Sequence, residues 1–439
     1  MVTFFSRLFL VGVLLVAGCT KTTPVEEISV QSSGVSLSDS DIPDLSDSWP
    51  GWRGPQRNGH APDQALPTEW DETKNVKWRT FIPGRGHGSP VIVNDLVLLA
   101  AADDPNQEQM VMAFDRADGT VRWETVLHEG GFPSPGELHK KGTNANGTLL
   151  CDGESIYAVF LNSGKIIATA LDLDGKQLWQ KELGAFNSKF GYAPSPLLYQ
   201  SFVIIAADNR GGGYIAALDR KSGKIAWRVS RPAVSTYSSP VVAHVGGRDQ
   251  LLISGCDQVT SFDPATGKEN WSTPCLAEAT CGTIVTTDDK IFASGGYPKR
   301  ETVGLSAEGK LLWSDKTKIY EPSMLVEGEQ LYGITDDGIA YCWSTETGDV
   351  LWKHRLRGSF SASPILCNGL IYVPNLSGET FVFKAQKDGF EEVAVNQLGS
   401  DCYASPAAAD GELFLRVGTQ SGGKRQEELV CIGSDQSAE

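Results

Sequence analysis

The sequence predicts an all-β chain closed into a ring, an eight-bladed β-propeller of four-stranded blades, and three observations carry that expectation. Glycine stands four residues before tryptophan at Gly119/Trp123, Gly175/Trp179, Gly223/Trp227, Gly267/Trp271, Gly309/Trp313 and Gly348/Trp352. A second phrase, Ser-Pro or a near match, keeps time with the first at Ser89-Pro90, Gly147-Thr148, Ser195-Pro196, Ser239-Pro240, Gly282-Thr283, Pro322-Ser323, Ser363-Pro364 and Ser405-Pro406. Finally, 47 glycines and 22 prolines punctuate short apolar runs, a composition that suits many strands joined by turns and not long helices.

Residues 1–18 read as an export signal: Arg7 precedes an apolar run from Leu8 to Ala17 that is shorter than the ~20 residues of a membrane span. The run ends in Val16-Ala17-Gly18-Cys19, which resembles the lipobox of bacterial lipoproteins and makes Cys19 the expected lipid-modified N-terminus. Thr20 follows where an inner-membrane retention signal would place Asp, so the usual sorting pattern favours the outer membrane. Residues 19–48 are rich in Ser, Thr, Asp and Pro, carry Glu26, Glu27, Asp39, Asp41, Asp44 and Asp47, and are expected to form a flexible tether. As a coil it would hold the folded part on the order of 30 Å from the lipid. Residues 49–74 form an N-terminal segment whose Trp49, Trp52 and Trp70 are expected to fasten it to the ring, and residues 75–439 are the propeller.

Within the propeller the tryptophans from Trp78 to Trp352 recur about every 46 residues. That period fits propeller blades or helical arrays, and strand-like alternation decides for blades. Each opener leads into an apolar strand, a turn such as Asn94-Asp95, and a second strand, followed by the two strands of the tryptophan phrase. Asp or Ser folds the turn, glycine accepts a left-handed backbone, and Trp78, Trp123, Trp179, Trp227, Trp271, Trp313 and Trp352 are expected to dock between neighbouring sheets. A seventh copy keeps Gly389 but has Val393 in the tryptophan position. The last unit has strands at Tyr403 to Ala409, Glu412 to Val417 and Glu428 to Ile432, and lacks a fourth. The spare strand, Asn75 to Ile82, stands at the other end of the chain, so pairing the two would close the ring and remove two exposed edges.

Alanine, aspartate, glycine and tryptophan in this order resemble the tryptophan-docking repeat of pyrroloquinoline quinone (PQQ)-type propellers, the quinoprotein alcohol dehydrogenase-like superfamily. With a lipobox and eight repeats the chain is similar to the BamB-like outer-membrane assembly lipoproteins, and the similarity covers about residues 75 to 439. The stretch WPGWRGPQRNGHAP at 49–62 is also similar to an N-terminal segment of bacterial PQQ-like repeat proteins. The resemblance implies a noncatalytic, monomeric envelope scaffold that meets protein partners, touches the membrane through its lipid anchor and faces the periplasm. The alternative it implies is a PQQ- and calcium-dependent oxidoreductase or a PQQ-binding sensor.

A formal net charge of −16 argues against nucleic acid as a partner. The enzyme alternative meets a sequence without the adjacent cysteine pair of many family enzymes and without a Cys-x-x-Cys-His haem site. Residues two before each opener should lie near one mouth of the ring, and the polar or aromatic ones are His87, Asn146, Tyr237, Glu321 and Tyr403. Glu321 and Asn146 are ligand types that calcium accepts, and Tyr237 or Tyr403 could stack on a flat molecule. No nucleophile and base, and no histidine metal cluster, can be read from spacing, so neither catalytic residues, nor a metal, nor a cofactor is expected. The stretch 128–147 lengthens one repeat and is expected to cover a rim or meet a partner. Cys275 and Cys281 could bridge the turn between the fourth and fifth blades.

Overall fold

In the computed structural model, which describes residues 25–38, 42–187 and 190–434, eight antiparallel four-stranded sheets succeed one another along the chain. Blade 1 comprises Val91–Val93, Leu96–Asp103, Glu108–Asp115 and Val121–Glu129. Blades 2 to 7 repeat this plan, opening at Leu150–Cys151, Leu197–Tyr199, Val241–Val245, Val285–Thr286, Leu325–Glu327 and Ile365–Cys367. Blade 8 is shared between the chain ends. Ala407–Ala409, Glu412–Ser421 and Lys424–Gly433 supply three strands, and Val76–Ile82 supplies the outermost, pairing Trp78 with Cys431 and Phe81 with Glu428. The two middle strands of a blade are largely buried on both faces, as in Leu96–Asp103 and Glu108–Asp115, whereas outer strands such as Gln177–Ala185 are largely exposed. The core is therefore a belt of inter-sheet layers around a central channel.

Two repeated contacts join the blades. Each of the seven docking indoles donates its Nε1 hydrogen to a turn carbonyl of the following blade: Trp78 to Arg116, Trp123 to Leu173, Trp179 to Arg220, Trp227 to Pro264, Trp271 to Ala307, Trp313 to Thr345 and Trp352 to Gln386, at 2.8–3.2 Å. Six of these indoles lie over the glycine of that turn; Trp352 is the exception, with nothing within 4 Å of a β-carbon at Gly389. At Gly223, with φ +67°, a β-carbon would run into the ring of Trp179, so this position requires glycine for both backbone and space.

The second contact rings the channel. Six of the eight opener hydroxyls accept a hydrogen bond from the backbone N–H of the opener before: Ser89 N–H to Thr148, Thr148 to Ser195, Ser195 to Ser239, Thr283 to Ser323, Ser323 to Ser363 and Ser363 to Ser405, at 2.8–3.0 Å. This alignment sets the frame of the openers on the second residue of Gly147-Thr148, Gly282-Thr283 and Pro322-Ser323.

The N-terminal segment crosses the far end of the channel. Trp49 exchanges backbone hydrogen bonds with Ile92 of blade 1, Pro50 accepts from Cys151 of blade 2, and Gly59 and Ala61 pair with Leu366 of blade 7. Trp70, 3% exposed, donates its backbone N–H to Asn396 Oδ1 and stacks on Tyr372, in the apolar cluster that joins blades 7, 8 and 1. It thus supports the junction where Val393 replaces a docking tryptophan.

Residues 25–38 and 42–48, expected as tether, lie on the propeller instead. Ile28 forms a two-bond antiparallel bridge with Arg228 on the outer strand of blade 3, Val30, Val35 and Leu37 pack beside Trp227, and Leu45 packs on the cluster between blades 1 and 2. The physical reason is that an outer strand offers unpaired backbone groups. A segment can dock there with a few irregularly spaced apolar residues, so the lack of periodicity was a poor guide. Residues 1–18, Cys19 and Asp39 and Asp41 lie outside the described residues. Cys275 and Cys281 are both free thiols: Cys275 turns to the Thr273 carbonyl at the end of an outer strand, while Cys281 faces the channel.

Candidate functional site

The site is built by repetition. Once the opener hydroxyls are aligned, the residues two before them are His87, Asn146, Ala193, Tyr237, Cys281, Glu321, Ser361 and Tyr403, and all of them line one cavity of about 270 Å3 at the channel mouth. The five residues singled out from the sequence, His87, Asn146, Tyr237, Glu321 and Tyr403, are therefore brought together, although they come from five blades. Opener hydroxyls of Thr148, Ser195, Ser239 and Ser405 form the wall below them. The hydroxyl ring is interrupted between Ser405 and Ser89 and between Ser239 and Thr283, and at the second gap Trp52 donates its Nε1 hydrogen to Thr283 Oγ1 at 2.8 Å, which places the indole as the floor.

The extended connection after blade 1 covers part of the mouth. Its His139, Lys141 and Gly142 line the cavity, and Lys141 Nζ reaches Glu321 Oε1 at 2.9 Å, a bridge from the connection between blades 1 and 2 to the start of blade 6. His139 meets Phe190 edge to face at 5.2 Å, and Phe190 in turn lies 6.2 Å from Tyr237. Across the ring the His87 imidazole stacks on Tyr403 with centroids 4.6 Å apart and planes 4° from parallel. Burial holds the His87 ring well below the ordinary histidine pKa, and the charges of Arg85, Arg416 and Arg425 act in the same direction. His87 is thus a neutral aromatic wall at neutral pH. Burial also pushes the Cys281 thiol up, which makes it a poor nucleophile.

The two candidate calcium ligands are already engaged. Asn146 Oδ1 accepts from the Thr143 backbone at 2.8 Å and from its hydroxyl at 3.0 Å, while its Nδ2 donates to the Tyr192 carbonyl at 3.1 Å. Among the described residues Glu321 is the single carboxylate lining the cavity, and a lysine ammonium sits on it. A divalent ion held by oxygen ligands wants several carboxylate or carbonyl donors and no cation beside them, and no group of three or more His, Cys, Asp or Glu suited to a metal occurs among the described residues. The donor set does not fit calcium. Nearby Asp336 does not change this: its Oδ1 accepts from the Glu321 backbone at 2.9 Å, and burial raises its pKa.

Sequence reasoning missed Trp52, His139, Lys141, Phe190, Cys281 and Tyr320 as cavity residues. Cys281, like Ser361, stands two before an opener hydroxyl in the same frame as Asn146 and Glu321, and was passed over for its residue type. The others come from connections without a repeat, and no periodic signal marks them.

This geometry can be set beside known proteins. A chain of Burkholderia pseudomallei (strain K96243) named outer membrane protein assembly factor BamB is 24% identical over 357 residues, covering 77% of this chain and 84% of that one. Among solved structures, BamB from Moraxella catarrhalis superposes with a TM-score of 0.56 at 17% identity, over 82% of this chain and 99% of that chain. A europium-containing methanol dehydrogenase gives 0.64 at 12% identity over 89% and 98%, so the shared propeller does not by itself separate scaffold from enzyme. The family profile of outer membrane protein assembly factor BamB matches residues 63–207, 211–332 and 299–392, well over half of the sequence, and the chain belongs to that family.

Proposed function

We propose that this protein is a noncatalytic scaffold of the bacterial envelope that docks protein partners during outer-membrane protein assembly, held at the outer membrane by a lipid on Cys19 and facing the periplasm. Membership of the assembly-factor family carries the reading. The Lys141–Glu321 pair across the channel mouth supports the noncatalytic part, because it occupies the one carboxylate that lines the cavity among the described residues and could have served as a base or metal ligand. The exposed face of the 128–147 connection remains open for protein contact, whereas the outer strand of blade 3 is already covered by the 25–38 segment.

The test is a deletion in the native bacterium combined with photo-crosslinking from Glu137, which is exposed on that connection. The expected result is a lowered content of folded outer-membrane barrels and a crosslink to an envelope protein. Unchanged barrel content with no crosslink overturns the reading. For the anchor, Cys19→Ser should move the exported protein from the membrane to the soluble fraction, and continued membrane partitioning would exclude lipidation at that residue.

A further inference from the structure

A docking scaffold does not need an open, chemically varied cavity behind its rim, and this chain has one. Its 270 Å3 lies just below the roughly 300–1,000 Å3 of pockets for drug-sized ligands, and suits one small metabolite. Among the described residues, Lys141 and Glu321 are the only Lys, Arg, Asp or Glu lining it, and they are paired with each other. Both are partly accessible, with side chains 37% and 23% exposed, so an entering molecule can reach them without unfolding anything. The remaining wall is strongly aromatic, with Trp52 below and Tyr237, Phe190, Tyr403 and His87 around.

Charge selects among ligands. A molecule bearing only a carboxylate would take Lys141 and strand Glu321, and one bearing only an ammonium would strand Lys141; leaving one member of a partly buried pair uncompensated is unfavourable. A zwitterion replaces one ion pair by two and leaves neither charge unmatched. The aromatic wall rewards a flat ring on the same molecule.

We infer that the channel cavity binds a small aromatic zwitterion, an aromatic α-amino acid being the simplest, with its carboxylate on Lys141, its ammonium on Glu321 and its ring against the aromatic wall. This site is independent of the assembly role, so either can fail without the other.

Calorimetric titration of the full chain in detergent with L-tryptophan, indole-3-acetate, tryptamine and indole tests it. Saturable one-site binding of L-tryptophan is expected, with each singly charged analogue weaker by roughly tenfold or more, the loss of about one charge-assisted bond. Lys141→Gln should weaken L-tryptophan by a similar factor while tryptamine binds as well or better, because Glu321 is then released from its partner. That crossed response is one a merely structural lysine would not give. No saturable binding of L-tryptophan overturns the inference, as does equal binding of indole and L-tryptophan. Binding of PQQ that strengthens with calcium, in place of the amino acid, would overturn it in favour of a quinone site.

Discussion

The docking belt and the channel mouth are built by the same repeat and use it in opposite ways. In the belt, seven of eight equivalent positions hold tryptophan: six lie over a glycine on the next blade, and all seven indoles make one kind of hydrogen bond. At the mouth, eight equivalent positions hold His, Asn, Ala, Tyr, Cys, Glu, Ser and Tyr. The backbone is repeated in both places, so the difference lies in what the side chain must do. A belt residue has to fill the same gap each time, whereas a mouth residue faces open space and is free to carry chemistry. Identity across blades therefore reports packing, and divergence at a fixed backbone position reports a site.

The largest way to break this comparison is to break the ring itself. Ending the chain before Arg425 removes the strand that joins Val76–Ile82 to Glu412–Ser421, and blade 8 then has no continuous sheet. Loss of a cooperative transition in calorimetry is expected, and an unchanged melting profile would show that the shared blade does not close the fold. Next in size is Trp227→Ala. This indole is fully buried, and its removal should cost ~3–5 kcal/mol in denaturant unfolding. Trp352 is a sharper comparison, since it is half-exposed and nothing lies within 4 Å of a β-carbon at Gly389 in the following turn. Trp352→Ala should cost roughly 2 kcal/mol, for the smaller area returned to water. Equal losses at the two sites would mean that burial does not rank the belt.

The belt was legible in the sequence because its geometry admits few residues: glycine for the left-handed turn, tryptophan for the gap, and a fixed spacing between them. The five residues at the mouth were legible by position alone, since a repeat tells where a side chain stands without telling what it meets. What the sequence hid lies in the parts that do not repeat. Lys141 and Glu321 are 180 residues apart and meet only because one connection is long enough to cross the mouth. Trp52 was readable as a fastener but not as a floor, because its bond to Thr283 depends on a gap in the hydroxyl ring. The strap at 25–38 was hidden for another reason: an exposed strand edge recognises backbone, which every sequence carries.

The hydroxyl ring divides the comparison further, because its members are alike in sequence and unlike in partners. Ser363 Oγ accepts from the buried backbone of Ser323, so Ser363→Ala leaves that donor unsatisfied and should cost about 1–3 kcal/mol. Ser89 Oγ is buried without a partner, so Ser89→Ala should be close to neutral. Urea unfolding of the two variants decides whether the bond or the residue type matters.

The smallest expected effect is a pH dependence at His87. Its ring is neutral in the folded state with a depressed pKa, whereas in the unfolded chain it titrates near 6.5. As pH falls through about 6.5 the unfolded state takes up the proton first. The stability contributed by the neutral ring is therefore complete above that pH and declines below it, toward the depressed folded value. His87→Phe keeps the flat ring against Tyr403 and removes the titration. Melting temperatures of the two proteins between pH 7 and pH 5 should fall more steeply for the wild type. Parallel slopes would place the acid sensitivity elsewhere and would mean that the proton reaches His87 in the folded ring as easily as in the open chain.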